Sequence, residues 1–179
     1  MKTLVLFLTV SVISTLGYSQ IENTQLMALN TDYISVETTK PTSKLLNQDY
    51  LNSVHNSSMA VQVYDLEKTI SQFDVTSAKG FNGNPKSFKT AFKTDNATVE
   101  VLYNKEGKII STIEKYKKIK LPDPVRDAVF KKYKDWALLK VEYQVYYTTN
   151  DVKKIYQVKI TNGKTKKKIK VNANGTMVN

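Results

Sequence analysis

His55 is the one histidine in a chain of 179 residues that contains no cysteine. Thiolate zinc centres, a cysteine nucleophile and any relay needing two imidazoles are thereby excluded. The remaining candidates for proton chemistry are Asp123 and Asp127, four residues apart and so on one face of any helix that holds them. Such a pair could work as acid and base. A simpler use fits better: Asp123 would face the N–H groups of a first helical turn, with Asp127 solvated one turn on. Asp95, Asn96 and Asp151 do not make the alternating oxygen ladder of a calcium loop, and no glycine-rich phosphate loop or serine elbow is present. His55 lies between Asn52 and Asn56 in a polar stretch and reads as a loop residue. The expectation is a protein that is not an enzyme, with no catalytic, cofactor-binding or metal-binding residues.

Without catalysis, the informative property is charge. Lys and Arg number 27 against 16 Asp and Glu, a formal +11, while 41% hydrophobic and 24% charged residues are ordinary globular proportions. Residues 1–19 read as a secretory signal peptide. Lys2 gives the positive start, 4–16 is an apolar run, and Gly17 and Ser19 are the small residues expected before cleavage at Gln20. That run is shorter than the ~20 residues a membrane span needs. An exported chain without cysteine fits a bacterial periplasmic or secreted protein that relies on its core. Between 20 and 121 there are 13 lysines and 11 acidic residues, net +2; between 122 and 179 there are 13 basic and 5 acidic residues, net +8. The second part carries the excess.

The elements that would position this charge follow from periodicity. The segment 20–57 is polar and weakly patterned, with a short edge strand at 33–36. Met59, Val63, Leu66 and Ile70 recur on one helical face, predicting a helix over 59–70 that Ser58 can cap. A strand is expected at 73–77, then strands at 87–93, 98–103 and 108–115, the last two joined by the turn Asn104-Lys105-Glu106-Gly107. Pro122-Asp123-Pro124 opens a second helix lined by Val125, Ala128 and Val129. Strands follow at 137–148, 153–161, 166–172 and 176–178. Trp136, between helix and strand, is expected to pack a corner.

This is helix and four strands, twice over. An offset of 68 residues superposes Phe88 on Tyr156, Phe92 on Ile160, Val101 on Ile169, Asn104 on Asn172 and Gly107 on Gly175, and so supports a duplication. The units would run 58–121 and 122–179, the second strongly basic.

The run Val99-Glu100-Val101-Leu102-Tyr103-Asn104-Lys105-Glu106-Gly107-Lys108-Ile109-Ile110 carries a family likeness, with Glu114-Lys115-Tyr116, Leu121-Pro122 and Lys132-Tyr133-Lys134-Asp135-Trp136. Tyr156-Gln157-Val158-Lys159-Ile160 and Asn174-Gly175 extend it. Together these resemble the PepSY-like secreted proteins of Bacteroidetes-type bacteria, which have a β-lactamase-inhibitor-protein-like fold. Lys134-Asp135 departs from the Pro-Gly usual there. The resemblance covers 59–178 and implies an α+β fold, a tandem repeat of a helix plus a four-stranded antiparallel sheet. It also implies a role in binding or inhibiting extracytoplasmic proteins, with no catalytic residues.

Alternation then defines a face. Along 137–148 it puts Leu139, Val141, Tyr143, Val145 and Tyr147 inward and leaves Lys140, Gln144 and Tyr146 outward. On the next strand Lys153, Ile155, Gln157 and Lys159 point out; on the third, Ile169 and Val171 point in and Lys166, Lys168 and Lys170 out. Long cations, amides and an aromatic suit an acidic extracytoplasmic protein, or an anionic polysaccharide or lipid surface. A solvated face that keeps the edge soluble is the bland alternative. The lack of repeated aromatic stacking positions argues against nucleic acid.

Overall fold

The computed structural model describes residues 32–35, 44–82 and 87–178. Its chain order is β1 (Asp32–Ser35), α1 (Gln48–Val54), α2 (Val61–Gln72), a 3₁₀ turn (Val75–Ser77), β2 (Phe88–Lys93), β3 (Ala97–Tyr103) and β4 (Ile109–Lys117). There follow α3 (Asp123–Lys132), β5 (Ala137–Thr148), β6 (Asp151–Thr161), β7 (Lys166–Asn172) and β8 (Met177–Val178). The strands form one sheet in sequential order, β2 to β8 antiparallel and β1 parallel to β2 at one edge. The class is α+β. The expected signal peptide at 1–19 lies outside the described residues.

The tandem of four-stranded units is not what the sheet shows. The predicted strand at 73–77 is the 3₁₀ turn instead, because the Asp74 carboxylate accepts from the Thr76 N–H at 3.0 Å and from its hydroxyl at 2.6 Å. A short side chain that bonds its own backbone competes with strand pairing. The offset of 68 does superpose β2, β3 and their turn on β6, β7 and theirs. Both turns close alike, Gly107 N–H to Asn104 C=O at 3.0 Å and Gly175 N–H to Asn172 C=O at 2.9 Å, each glycine at positive φ. But β5 has no counterpart in the first half, and the helices are out of step with the offset.

A second correction concerns the polar segment before residue 58, which contains α1. Its Tyr50, Leu51 and Val54 are buried. Entry to α1 also finishes α2: the N–H groups of Leu46 and Asn47 both donate to the Ser71 carbonyl at 3.0 Å, near the α2 C-terminus, where carbonyls lack helical partners. The Asn47 side chain then accepts from Ile109 N–H at 2.8 Å, tying α1 to β4. Ser58 does not cap α2. The cap position is Ala60, with no side-chain bond, and Ser58 N–H instead donates to Asn56 at 2.8 Å.

The three helices cover one face of the sheet, which we call the inner face. Val63, Leu66 and Ile70 of α2 and Val125 and Val129 of α3 pack in one cluster with Val99, Val101, Tyr143, Val145, Val158 and Val171. Tyr residues form much of this layer: Tyr143 stacks on Tyr156 with centroids 4.5 Å apart, and Tyr50 meets Tyr147 edge-on at 5.3 Å. Leu139, expected inward, is 47% exposed. The register slips between Leu138 and Lys140, and this bulge puts the extra residue out of the alternation. Among the described residues no helix is long and apolar enough to cross a membrane.

Candidate functional site

The outer face is built by register. Lys140 pairs with Lys159, and Lys159 with Lys168, so three cations stand in one row across β5, β6 and β7. The next row is Glu142, Gln157 and Lys170. Beyond it Gln144 pairs with Ile155, and Tyr146 with Lys153; Lys166 pairs with Thr161 at the other end. All ten residues expected on one face are therefore there. Two are not exposed as expected: Gln144 and Ile155 are buried. Ile155 is flanked by Lys153 and Gln157 along its strand and by Gln144 and Asn172 across.

Gln144 is the centre of a polar network. Its carbonyl oxygen accepts from Gln157 Nε2 at 2.6 Å and from the Tyr146 hydroxyl at 3.1 Å, and its own Nε2 donates to Glu142 at 2.6 Å. The network fixes the Tyr146 ring on the surface, where alternation alone specifies only a side. Lys140, Glu142, Gln157, Lys159 and Lys168 enclose a shallow depression of about 210 Å³. Lys140 approaches Glu142 only to 3.8 Å. Like charges placed directly opposite one another destabilise a sheet, so the lysine row lowers its own energy when an anion sits among it.

Sequence reasoning missed an acidic site on the inner face. Glu67, on the buried stripe of α2, and Glu114 of β4 are both fully buried. Glu114 accepts from Tyr50 at 2.8 Å and Thr112 at 2.7 Å through one oxygen, and from Tyr116 at 2.6 Å through the other. Glu67 finds no hydroxyl or amide donor. Burial, then the charge of Glu114, raises the Glu67 pKa far above the carboxylate range. Burial likewise raises that of Glu114, against the pull of its hydroxyl donors. Three hydroxyls donate to Glu114 and none to Glu67, so of the two carboxyls Glu67 is the one that holds a proton. Lys154 of β6 stands in the same sheet row and donates to the Ser53 and His55 carbonyls at 3.2 and 3.3 Å, closing the end of α1. Both carboxyls are sealed in the core between α1, α2 and the sheet.

The other candidates make local contacts. Arg126 binds Asp123 at 2.7 Å and Asp127 at 2.9 Å on the exposed side of α3, so the two aspartates are tied in an ion-pair cluster. The His55 ring lies edge-on to Tyr64 at 5.3 Å. Trp136 packs edge-on against Tyr133 at 5.6 Å, and Lys167, which points inward from β7, lies 5.3 Å from both rings. No group of three or more His, Asp or Glu residues is arranged to hold a metal among the described residues.

No family model matches the chain, and no curated protein matches it. Among solved structures it is similar to a DUF2874 family protein from Bacteroides ovatus ATCC 8483, at 16% identity and a TM-score of 0.35, over 69% of this chain and 87% of that one. The class the coordinates define is an α+β protein: a single sheet, mostly antiparallel, with helices on one side and an open lysine-rich face on the other.

Proposed function

We propose that the protein is an exported, non-catalytic binding module of PepSY-like type. Its outer sheet face docks on an acidic extracytoplasmic protein, which it inhibits or regulates. The observation that carries this reading is the row Lys140, Lys159 and Lys168. A solvated face needs dispersed charge, whereas three cations held in register across neighbouring strands gain energy when a carboxylate enters the depression they share with Gln157. Lys166 and Lys170 extend the positive field along β7 and would steer an acidic surface towards it.

A second reading, attachment to anionic envelope polysaccharide or lipid headgroups, draws on the exposed run from 162 to 168 at the open end of β7. Capture from the native extracytoplasmic fraction tests both readings, using the wild type and Lys166→Glu/Lys168→Glu/Lys170→Glu. Loss of a specific protein partner in the triple variant, with wild-type binding that survives added salt, supports the first. Binding that collapses within a few tenths molar salt supports the second, since the Debye length falls to about 3 Å at 1 M. Capture unchanged by the triple substitution overturns both.

A further inference from the structure

The lysine field is not the whole of the outer face. Next to it, at the middle of the sheet, Ile113 of β4 is 42% exposed and pairs directly with Tyr146 of β5, itself 38% exposed. Diagonal to Ile113 is Leu102 of β3, half-buried, opposite Ser111. Leu102, Ile113, Ser111, Lys89 and Glu100 line a depression of about 200 Å³. The Lys89–Glu100 ion pair, 2.7 Å, forms its polar wall. Such a volume is below that of a drug-sized ligand site, about 300 Å³ and upward, but it suits one large side chain.

We infer that Leu102, Ile113 and Tyr146 are the apolar anchor of the docking face, and that they take a large apolar side chain flanked by carboxylates on an acidic protein partner. This rests on the acidic-partner reading above and specifies the partner's chemistry. Three observations meet here. The aromatic ring is held in place before any partner arrives, because its hydroxyl donates to Gln144, which Gln157 and Glu142 hold in turn. A ring already ordered loses little freedom on binding. The patch lies at the border of the lysine field, with Lys115 next along β4 and Lys153 across from Tyr146. That arrangement, an apolar centre with a charged surround, is the anatomy of a protein interface. Finally, Ile113 is an exposed apolar residue among the outward Ser111, Lys115 and Lys117 of β4, a position where solubility alone would favour a polar side chain.

The probe is a pair of fluorescein-labelled glutamate-rich nonapeptides, identical except for a central Phe or Ser, titrated by fluorescence anisotropy. Expected for the wild type is binding of the Phe peptide at least about tenfold tighter than the Ser peptide, with the advantage lost in Ile113→Ser and in Leu102→Ser. Both positions lie on the outer face, away from the helix-covered core, and circular dichroism checks that the fold is retained. Equal binding of the two peptides by the wild type overturns the anchor while leaving the acidic-partner reading standing, and so does an advantage that survives both substitutions. Lys166→Glu/Lys168→Glu/Lys170→Glu should weaken both peptides together; if it leaves them unchanged, the lysine field fails and the anchor alone stands. No binding of either peptide overturns both.

Discussion

Glu67→Gln should make this protein more stable at neutral pH and leave it unchanged in acid. In the folded chain the Glu67 carboxyl is raised from 4.5 to about 10, first by burial and then by the charge of Glu114. In the unfolded chain it ionises normally. A folded-state pKa raised in this way means that the contribution of Glu67 is intact below about pH 4.5. It is lost as pH rises from there towards the folded value, because unfolding releases the proton. Each pH unit in that window costs about 1.36 kcal/mol, so the 2.5 units to pH 7 amount to about 3.4 kcal/mol. The Lys154 charge is already included in the folded value, and about 0.4 kcal/mol of the loss is present at pH 4.5, where the unfolded carboxyl is half ionised. Glutamine keeps the shape and offers Glu114 an N–H in place of the proton, without titrating. Urea unfolding followed by circular dichroism, from pH 4.5 to 8, should show the two proteins level at the acid end. The variant should lead by about 2–3 kcal/mol at pH 7. A difference that stays constant over this range would mean that Glu67 is ionised in the folded protein, and the assignment of the proton to it would fall.

Tyr116→Phe removes a hydroxyl donor from the buried Glu114 carboxylate and should cost about 1.5–3 kcal/mol in the same unfolding assay, as hydrogen bonds to charged groups do. Gly175→Ala places a Cβ 2.7 Å from the Pro124 carbonyl at a φ of +90°, whereas Gly163→Ala at +87° meets nothing within 4 Å. Both pay the left-handed penalty of about 1–2 kcal/mol, so thermal unfolding should show Gly175→Ala as clearly the more damaging. Lys167→Met removes a cation lying 5.3 Å from the Trp136 ring. It should shift the emission of the chain's single tryptophan and lower stability by about 0.5–1 kcal/mol; unchanged emission would mean that the cation does not sit over the ring.

Legibility in the sequence followed the strength of local signals. Pro122-Asp123-Pro124 and the alternation after Trp136 placed α3 and β5 to β7 almost to the residue, because most inward positions there are apolar, Lys154 and Lys167 being the exceptions. The outward lysines followed from the same period of two. What local pattern does not carry is tertiary exception. α1 is seven residues long and would be marginal alone; it exists because Tyr50 reaches Glu114 and Asn47 reaches β4. Glu67 interrupts the apolar stripe of α2, and in β4 Glu114 faces in while Ile113 faces out. Their partners are 47 to 64 residues distant or on neighbouring strands, so polarity read locally assigns them to the wrong sides. The bulge at Leu138 and Lys140 displaced Leu139 for the same kind of reason, since a bulge belongs to a pair of strands and not to one. Its effect on the candidate face was nil, because every outward residue chosen lies after it.

The central claim is that the open sheet face is the working surface and the helix side its support. Lysine acetylation footprinting of the protein with its captured partner, read by mass spectrometry, tests it most directly. The account predicts protection of Lys140, Lys159, Lys168 and Lys170 on the sheet, with Lys131, Lys132 and Lys134 at the end of α3 reacting as in the free protein. Protection confined to the α3 lysines, with the sheet lysines fully reactive, would contradict it.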